Sequence, residues 1–308
     1  MNIVKTLNSS RFFACALAAL PAAAQAQDFS GAVTLGYGLG SISNGGGDID
    51  SFTLDGSGSV SFQNGWVMGL DATLAKMNPE GPGDFDTTDL GANFAYQFAS
   101  GATIGAYGDF MNFDTAGGVF GPTDTEVTSY GLSGGYVNDT FGAELHIGIS
   151  EANGGVDWND YGVTLRFRPT DATRIGGHWL LSEGDVAGGG SLEITSIGLG
   201  ADHNFGSGFS AFGGVNFVDA DMLNADVTTY GVGVGYDLSA VTSAPINLSL
   251  ELARSDMDTG AGSIEEDTVR FGVTFALGNA MRAPENSVAR SVMTPRHNAL
   301  STLIDTAY

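Results

Sequence analysis

Apolar and polar residues alternate with a period of two along most of this chain. In "TTYGVGVGYDL" (228–238), Tyr230, Val232, Val234, Tyr236 and Leu238 share one parity, and Thr229, Gly231, Gly233, Gly235 and Asp237 share the other. A period of two predicts a β-strand. Glycine inside a strand packs nothing and weakens it, so the stretch raises the question of which face is wet. The same alternation appears in "AVTLGYGL", "SFTLDGSGSVSF" and "WVMGLDATL", and in ten further segments centred near Phe94, Ala106, Leu132, Leu145, Val163, Gly177, Leu199, Gly213, Leu250 and Val273. Fourteen strands are therefore predicted, each of about 9–12 residues, the length that crosses a bilayer at a tilt.

The connections alternate as well. Short ones are predicted at Gln63-Asn64-Gly65, Ala99-Ser100-Gly101, Asn138-Asp139-Thr140, 169–173, Gly206-Ser207-Gly208 and 239–245. Longer ones, rich in Gly, Asp and Asn, are predicted at 40–50, 76–87, 114–125, 151–158, 183–192, 219–226 and 255–266. Every proline after residue 26 falls in a connection or in the last thirty residues, as a hydrogen-bonded ladder requires. Aromatic residues beside the short turns, such as Phe62 with Trp66 and Phe205 with Phe209, suggest an interfacial girdle.

Across the fourteen segments only His203 and Arg254 break the apolar parity, while Asp, Glu, Arg, Asn, Ser, Thr and Gly collect on the other. A surface so uniformly apolar needs a cover, and no helical segments remain to supply one. Lipid can cover it, and backbone groups in lipid must all be paired, so the sheet must close. The expectation is an all-β fold: a transmembrane, antiparallel, up-and-down β-barrel of about fourteen strands with a wet interior. A soluble sandwich or a secreted adhesin is the alternative; it would have to bury the apolar parity between sheets and pave its outer faces with glycine.

Composition sharpens this picture. Acidic residues number 35 against 11 basic ones, which excludes the basic footprint of a nucleic-acid binder. Residues 1–26 carry Lys5 and Arg11, an apolar run from Phe12 to Leu20, and the small-residue site Ala24-Gln25-Ala26, the layout of a signal peptide cut after Ala26. Cys15, the single cysteine, would leave with it. Three regions follow: a signal peptide at 1–26, a barrel at 27–279 and a periplasmic tail at 280–308, either a short helix or disordered.

The strand-and-turn rhythm, "TTYGVGVGYDLSA" and the last segment "TVRFGVTFAL" together resemble the porins of Gram-negative outer membranes over about residues 28–278. The resemblance implies outer-membrane localisation, contact with lipid and lipopolysaccharide, passage of small hydrophilic solutes, and a homotrimer; it implies no cofactor. Two features depart from the pattern. The third loop, which porins typically fold inward, is about a dozen residues ("DTAGGVFGPTDT"), and about thirty residues follow the final strand.

Parity turns Asp55, Asp71, Asp109, Glu144, Asp202 and Glu251 inward, with His146, Arg166, Arg168, Arg174 and Arg270, and also Asp89, Asp160, Asp237 and His178. An excess of fixed negative charge between low-dielectric walls concentrates cations. The expected function is a cation-favouring diffusion pore, with Asp71 and Glu251 near mid-depth. Its rivals are a non-conducting structural or adhesive barrel and an outer-membrane hydrolase. No Ser/His/Asp grouping can be assembled from the sequence, so no catalytic residue is assigned. Loop 256–267 begins like a calcium loop but has Ala261 and Asp267 where glycine and glutamate belong, so no metal ligand is assigned either. In the tail, Arg282, Arg290 and Arg296 oppose Glu285 and Asp305; two short helices separated by Pro295 are possible, and a basic tail below an acidic lumen could plug it.

Overall fold

The computed structural model describes residues 28–307 apart from 44–46, 81–82, 116–122, 154, 187–189, 222–223, 243, 260–261 and 279–283. The signal-peptide expectation at 1–26 and most of the third loop lie outside the described residues. Fourteen strands run in chain order: β1 (Asp28–Ile42), β2 (Gly47–Ser61), β3 (Trp66–Pro79), β4 (Phe85–Gln97), β5 (Ala102–Thr115), β6 (Thr123–Val137), β7 (Phe141–Ala152), β8 (Val156–Thr170), β9 (Thr173–Val186), β10 (Gly190–Gly206), β11 (Phe209–Ala220), β12 (Ala225–Asp237), β13 (Ile246–Thr259) and β14 (Gly262–Gly278). Each pairs antiparallel with its sequence neighbours, and β1 closes the barrel on β14 with Ser30 opposite Gly278 and Leu35 opposite Val273.

The outward parity is the apolar one. Leu132, Leu145, Leu199, Val232 and Leu252 are between 57% and 64% exposed, while their strand neighbours Ser133, Glu144, Gly200, Gly231 and Glu251 are turned to the interior. In water such a belt would be unstable; in a bilayer it is the solvent-facing surface.

The short turns are as the spacing predicts. In the β2–β3 turn the Phe62 N–H donates to Trp66 O and the Gly65 N–H to Phe62 O, with Gly65 at φ 89°. Gly101 repeats this at φ 90° in the β4–β5 turn. A residue with a side chain would be strained at both positions. Beside these turns Trp66 stacks on Phe94 at 4.4 Å and Tyr96 meets Phe98 edge-on at 4.9 Å, placing aromatic rings at one rim of the apolar belt.

Strand extends into all seven connections expected to be long, and takes up most of 183–192 and 255–266. The strands run 12 to 17 residues, longer than the alternation indicates, because the ladder continues past the apolar belt. Asp48 and Asp50 pair with Ser41 and Leu39, and Asp256 pairs with Glu265. Above the membrane both faces of a strand are wet, so the alternation fades while the backbone hydrogen bonds remain worth forming.

A second correction concerns the tail. It does not lie below the barrel. Two helices, α1 (Val288–Met293) and α2 (Ala299–Ala307), sit inside the barrel, with Val288, Ala289, Val292, Ala299 and Thr302 fully buried. α1 begins at Val288, capped by the Ser287 hydroxyl accepting from Arg290 N. The turn holding Pro295 separates the helices, and Asn298 caps α2 by accepting from Ser301 N at 2.7 Å.

Candidate functional site

The interior of a closed barrel is where the polar parity converges, and here it converges on residues 284–307. At mid-depth Arg296 is 7% exposed. Its Nε lies 3.3 Å from Asp89 Oδ1 and 2.9 Å from Asp305 Oδ2, and its Nη1 pairs with Asp71. Three carboxylates from β3, β4 and α2 thus share one guanidinium. Next to it, His297 Nδ1 is 2.8 Å from Asp109 Oδ2, and the His297 ring stacks on Tyr107 at 3.7 Å.

Hydroxyls carry the contact around the wall. Asn298 Nδ2 donates to Ser129 Oγ at 2.9 Å, and Ser129 hydrogen-bonds Ser150. Ser150 and Ser182 both donate to Asp160, and Ser182 Oγ accepts from Ala299 N at 3.0 Å. The circuit ties the start of α2 to β6, β7, β8 and β9. On the opposite side Glu251 Oε1 accepts from Val288 N at 3.1 Å, and Arg270 spans Glu251 at 3.4 Å and Thr306 O at 3.4 Å. Thr34 Oγ1 accepts from Glu285 N at 3.1 Å.

Both inward histidines serve the tail backbone. His146 Nε2 lies 2.9 Å from His297 O and His178 Nδ1 lies 2.8 Å from Val292 O. Because a carbonyl only accepts, those ring nitrogens carry the protons; His178 Nε2 lies 3.0 Å from Ser196 Oγ, which itself donates to Asn216 Oδ1.

Glycine makes room for α1. A Cβ on Gly200 would stand 2.8 Å from Val292 Cγ2, one on Gly214 would stand 2.9 Å from the Ala289 backbone, and one on Gly176 would stand 2.9 Å from Met293 Cγ. Real Cβ atoms do not approach so closely, so the inward glycines of β9, β10 and β11 form a shelf on which the helix lies. α2 rests on apolar side chains: Met111, Val127, Trp158, Leu180, Val218 and Val227 are buried on the inward parity, with Leu300, Leu303 and Ile304 packed against their cluster. Among the expected pore-lining residues, Asp71, Asp109, His146, Glu251 and Arg270 all contact the tail. Asp55 is buried near Thr53 and Thr73. Arg174 pairs with Asp202 at 2.9 Å. Glu144 is half-buried, and Arg166 faces it and Arg290. Arg168 pairs with Asp171 at 3.6 Å on the exposed β8–β9 turn and sits at the mouth, not along the lumen.

The residues missed in the sequence are His297 and Asn298, the glycine shelf and the inward apolar cluster, while Arg296 is read there only as part of a basic tail that could plug the lumen. A signal for them was present: Met111, Trp158, Leu180 and Val218 interrupt the polar parity, and a water-filled lumen gives apolar side chains no reason to be there.

No curated protein matches this chain. Among solved structures it resembles an anion-selective porin from Comamonas acidovorans (10% identity, 81% of this chain and 99% of that one, TM-score 0.50). It also resembles the monoaromatic hydrocarbon channel CymD (11% identity, 82% and 90%, TM-score 0.52), and a FadL homologue from Pseudomonas aeruginosa (11%, 81% and 90%, TM-score 0.50). At these identities the likeness is one of fold. The family described as Gram-negative porin matches residues 56–223, more than half of the 308 residues. With a closed fourteen-stranded barrel, an apolar outer belt and a polar interior, the chain belongs to the Gram-negative porin family, the outer-membrane channels for small solutes.

Proposed function

We propose that the barrel passes small hydrophilic solutes by passive diffusion and favours cations. The observation that carries this reading is the sign of the interior charge. Asp55, Asp71, Asp89, Asp109, Glu144, Asp160, Asp202 and Glu251 face inward against Arg166, Arg174 and Arg270, eight carboxylates to three guanidiniums. Residues 284–307 add Glu285 and Asp305 against Arg290 and Arg296 and leave the balance unchanged. Fixed charge of one sign between low-dielectric walls enriches its counter-ions and rejects its co-ions. Carboxylates already joined to an arginine, such as Glu251 and Asp202, contribute less than the half-buried Glu144.

Reversal potentials of the purified protein in a planar bilayer under a potassium chloride gradient test the reading. Cation preference is expected. Glu144→Gln should reduce it more than Asp256→Asn with Asp258→Asn, whose carboxylates lie on the loop-side extension of β13, where salt screens charge beyond about 8–10 Å. An anion preference would refute the reading. The docked tail favours a second one, a non-conducting barrel, and the absence of current in the same bilayer would select it. The family resemblance supports a homotrimeric assembly, checked by light scattering of the detergent-solubilised protein.

A further inference from the structure

We infer that residues 284–307 are an internal gate: the lumen is a peptide-binding site occupied by the chain's own C-terminal segment, and ions pass only when that segment withdraws. The inference rests on the channel reading above. Three independent observations carry it. The segment bonds to opposite sides of the wall at once, from Asp89 and Asp109 on β4 and β5 to Glu251 and Arg270 on β13 and β14, so it spans the lumen rather than lining it. The wall is cut to fit it, with a glycine shelf beneath α1 and apolar side chains beneath α2, in a barrel interior that a permanently water-filled pore would keep polar.

The third observation concerns how the segment is held. Its central anchor, Arg296, is an ionic latch, and His146 and His178 hold its backbone through single hydrogen bonds. Such contacts re-form with water on withdrawal, and no covalent bond ties the helices to the wall. β14 finishes at Gly278, opposite the start of β1 at the short-turn end, so a segment that follows Gly278 in the chain can withdraw toward that mouth.

A reversible lock tests this in the full chain. A Cβ on Gly176 would stand 3.2 Å from Met293 Cβ, a few tenths of an ångström inside the range of about 3.5–4.5 Å for a disulfide. Gly176→Cys with Met293→Cys, in a Cys15→Ser background, should give a chain whose bilayer conductance is at least ten-fold lower oxidised than reduced. Arg296→Ala in the full chain should raise the open fraction several-fold over the unaltered protein. Equal, measurable conductance of the oxidised and reduced forms overturns the gate and leaves the channel reading standing. Silence of both forms and of Arg296→Ala overturns the channel reading itself, and the gate with it. If Arg296→Ala does not fold, the comparison of oxidised with reduced protein decides alone.

Discussion

Arg296 reaches Asp89 across the lumen with its Nε 3.3 Å from Asp89 Oδ1, joining the turn between two tail helices to the middle of β4. Asp71 and Asp305 complete the cluster. Removing the shared cation leaves buried carboxylates without a partner, at a cost of about 3–5 kcal/mol. Arg296→Met, which keeps the packing volume, should therefore weaken docking of the tail by that order. Limited proteolysis checks it: the tail of the variant should be cleaved much faster than in the unaltered protein while the barrel stays intact. Equal cleavage rates would show that the cluster does not hold the tail.

The glycine shelf gives a second expectation. Gly214→Val would drive a side chain into the Ala289 backbone, which a Cβ already approaches to 2.9 Å. Backbone cannot move aside as a flexible side chain can, so α1 should be expelled and the open fraction of the channel should rise. Gly134→Ala on the lipid face, where a Cβ would meet its nearest neighbour at 3.7 Å, should change neither conductance nor folding. Bilayer recordings of the two variants check the contrast.

The outward belt should be intolerant of charge in a depth-dependent way. Val232, 64% exposed near the middle of β12, would sit near the bilayer midplane. Val232→Arg should destabilise the barrel by about 2–4 kcal/mol, and the same change near a strand end by about 0–1 kcal/mol. Reversible urea unfolding in lipid vesicles measures the difference. A neutral effect at Val232 would show that this face does not meet lipid.

Acid should tighten the docked tail. Burial pushes the Asp305 carboxyl up, with Asp109 adding to the rise and Arg296 opposing it. The charged groups facing it are Arg296 on the tail, Asp55 on β2, Asp89 on β4 and Asp109 on β5. A carboxyl whose value is higher docked than free binds its proton more firmly when docked. Its stabilisation is complete below the ordinary carboxylate value, about 3.9, and is lost as pH rises through the raised docked value. Lowering pH from neutrality toward that window should reduce the open fraction, and Asp305→Asn should flatten the dependence. Opening on acidification would assign control to another group.

Much of this protein is legible in its sequence, and the reason is the period of two. Tyr230, Val232 and Val234 against Gly231, Gly233 and Gly235 determine a strand with one face for lipid, and fourteen such segments with six tight turns determine a closed barrel, because in lipid no edge can stay open. Two things only the tertiary structure decided. The height of the wall was hidden because strands such as β2 and β13 continue where both faces are wet and composition no longer alternates, leaving ladder hydrogen bonds that no side-chain pattern reports. The position of the tail was hidden because docking is a matter of long-range complementarity. Arg296 finds Asp71 and Asp89 more than two hundred positions away in sequence, and α1 lies on glycines from three different strands. A single strand shows each of those glycines as an absence of side chain. Only when the strands are brought around one axis do those absences line up into a surface that a helix can occupy.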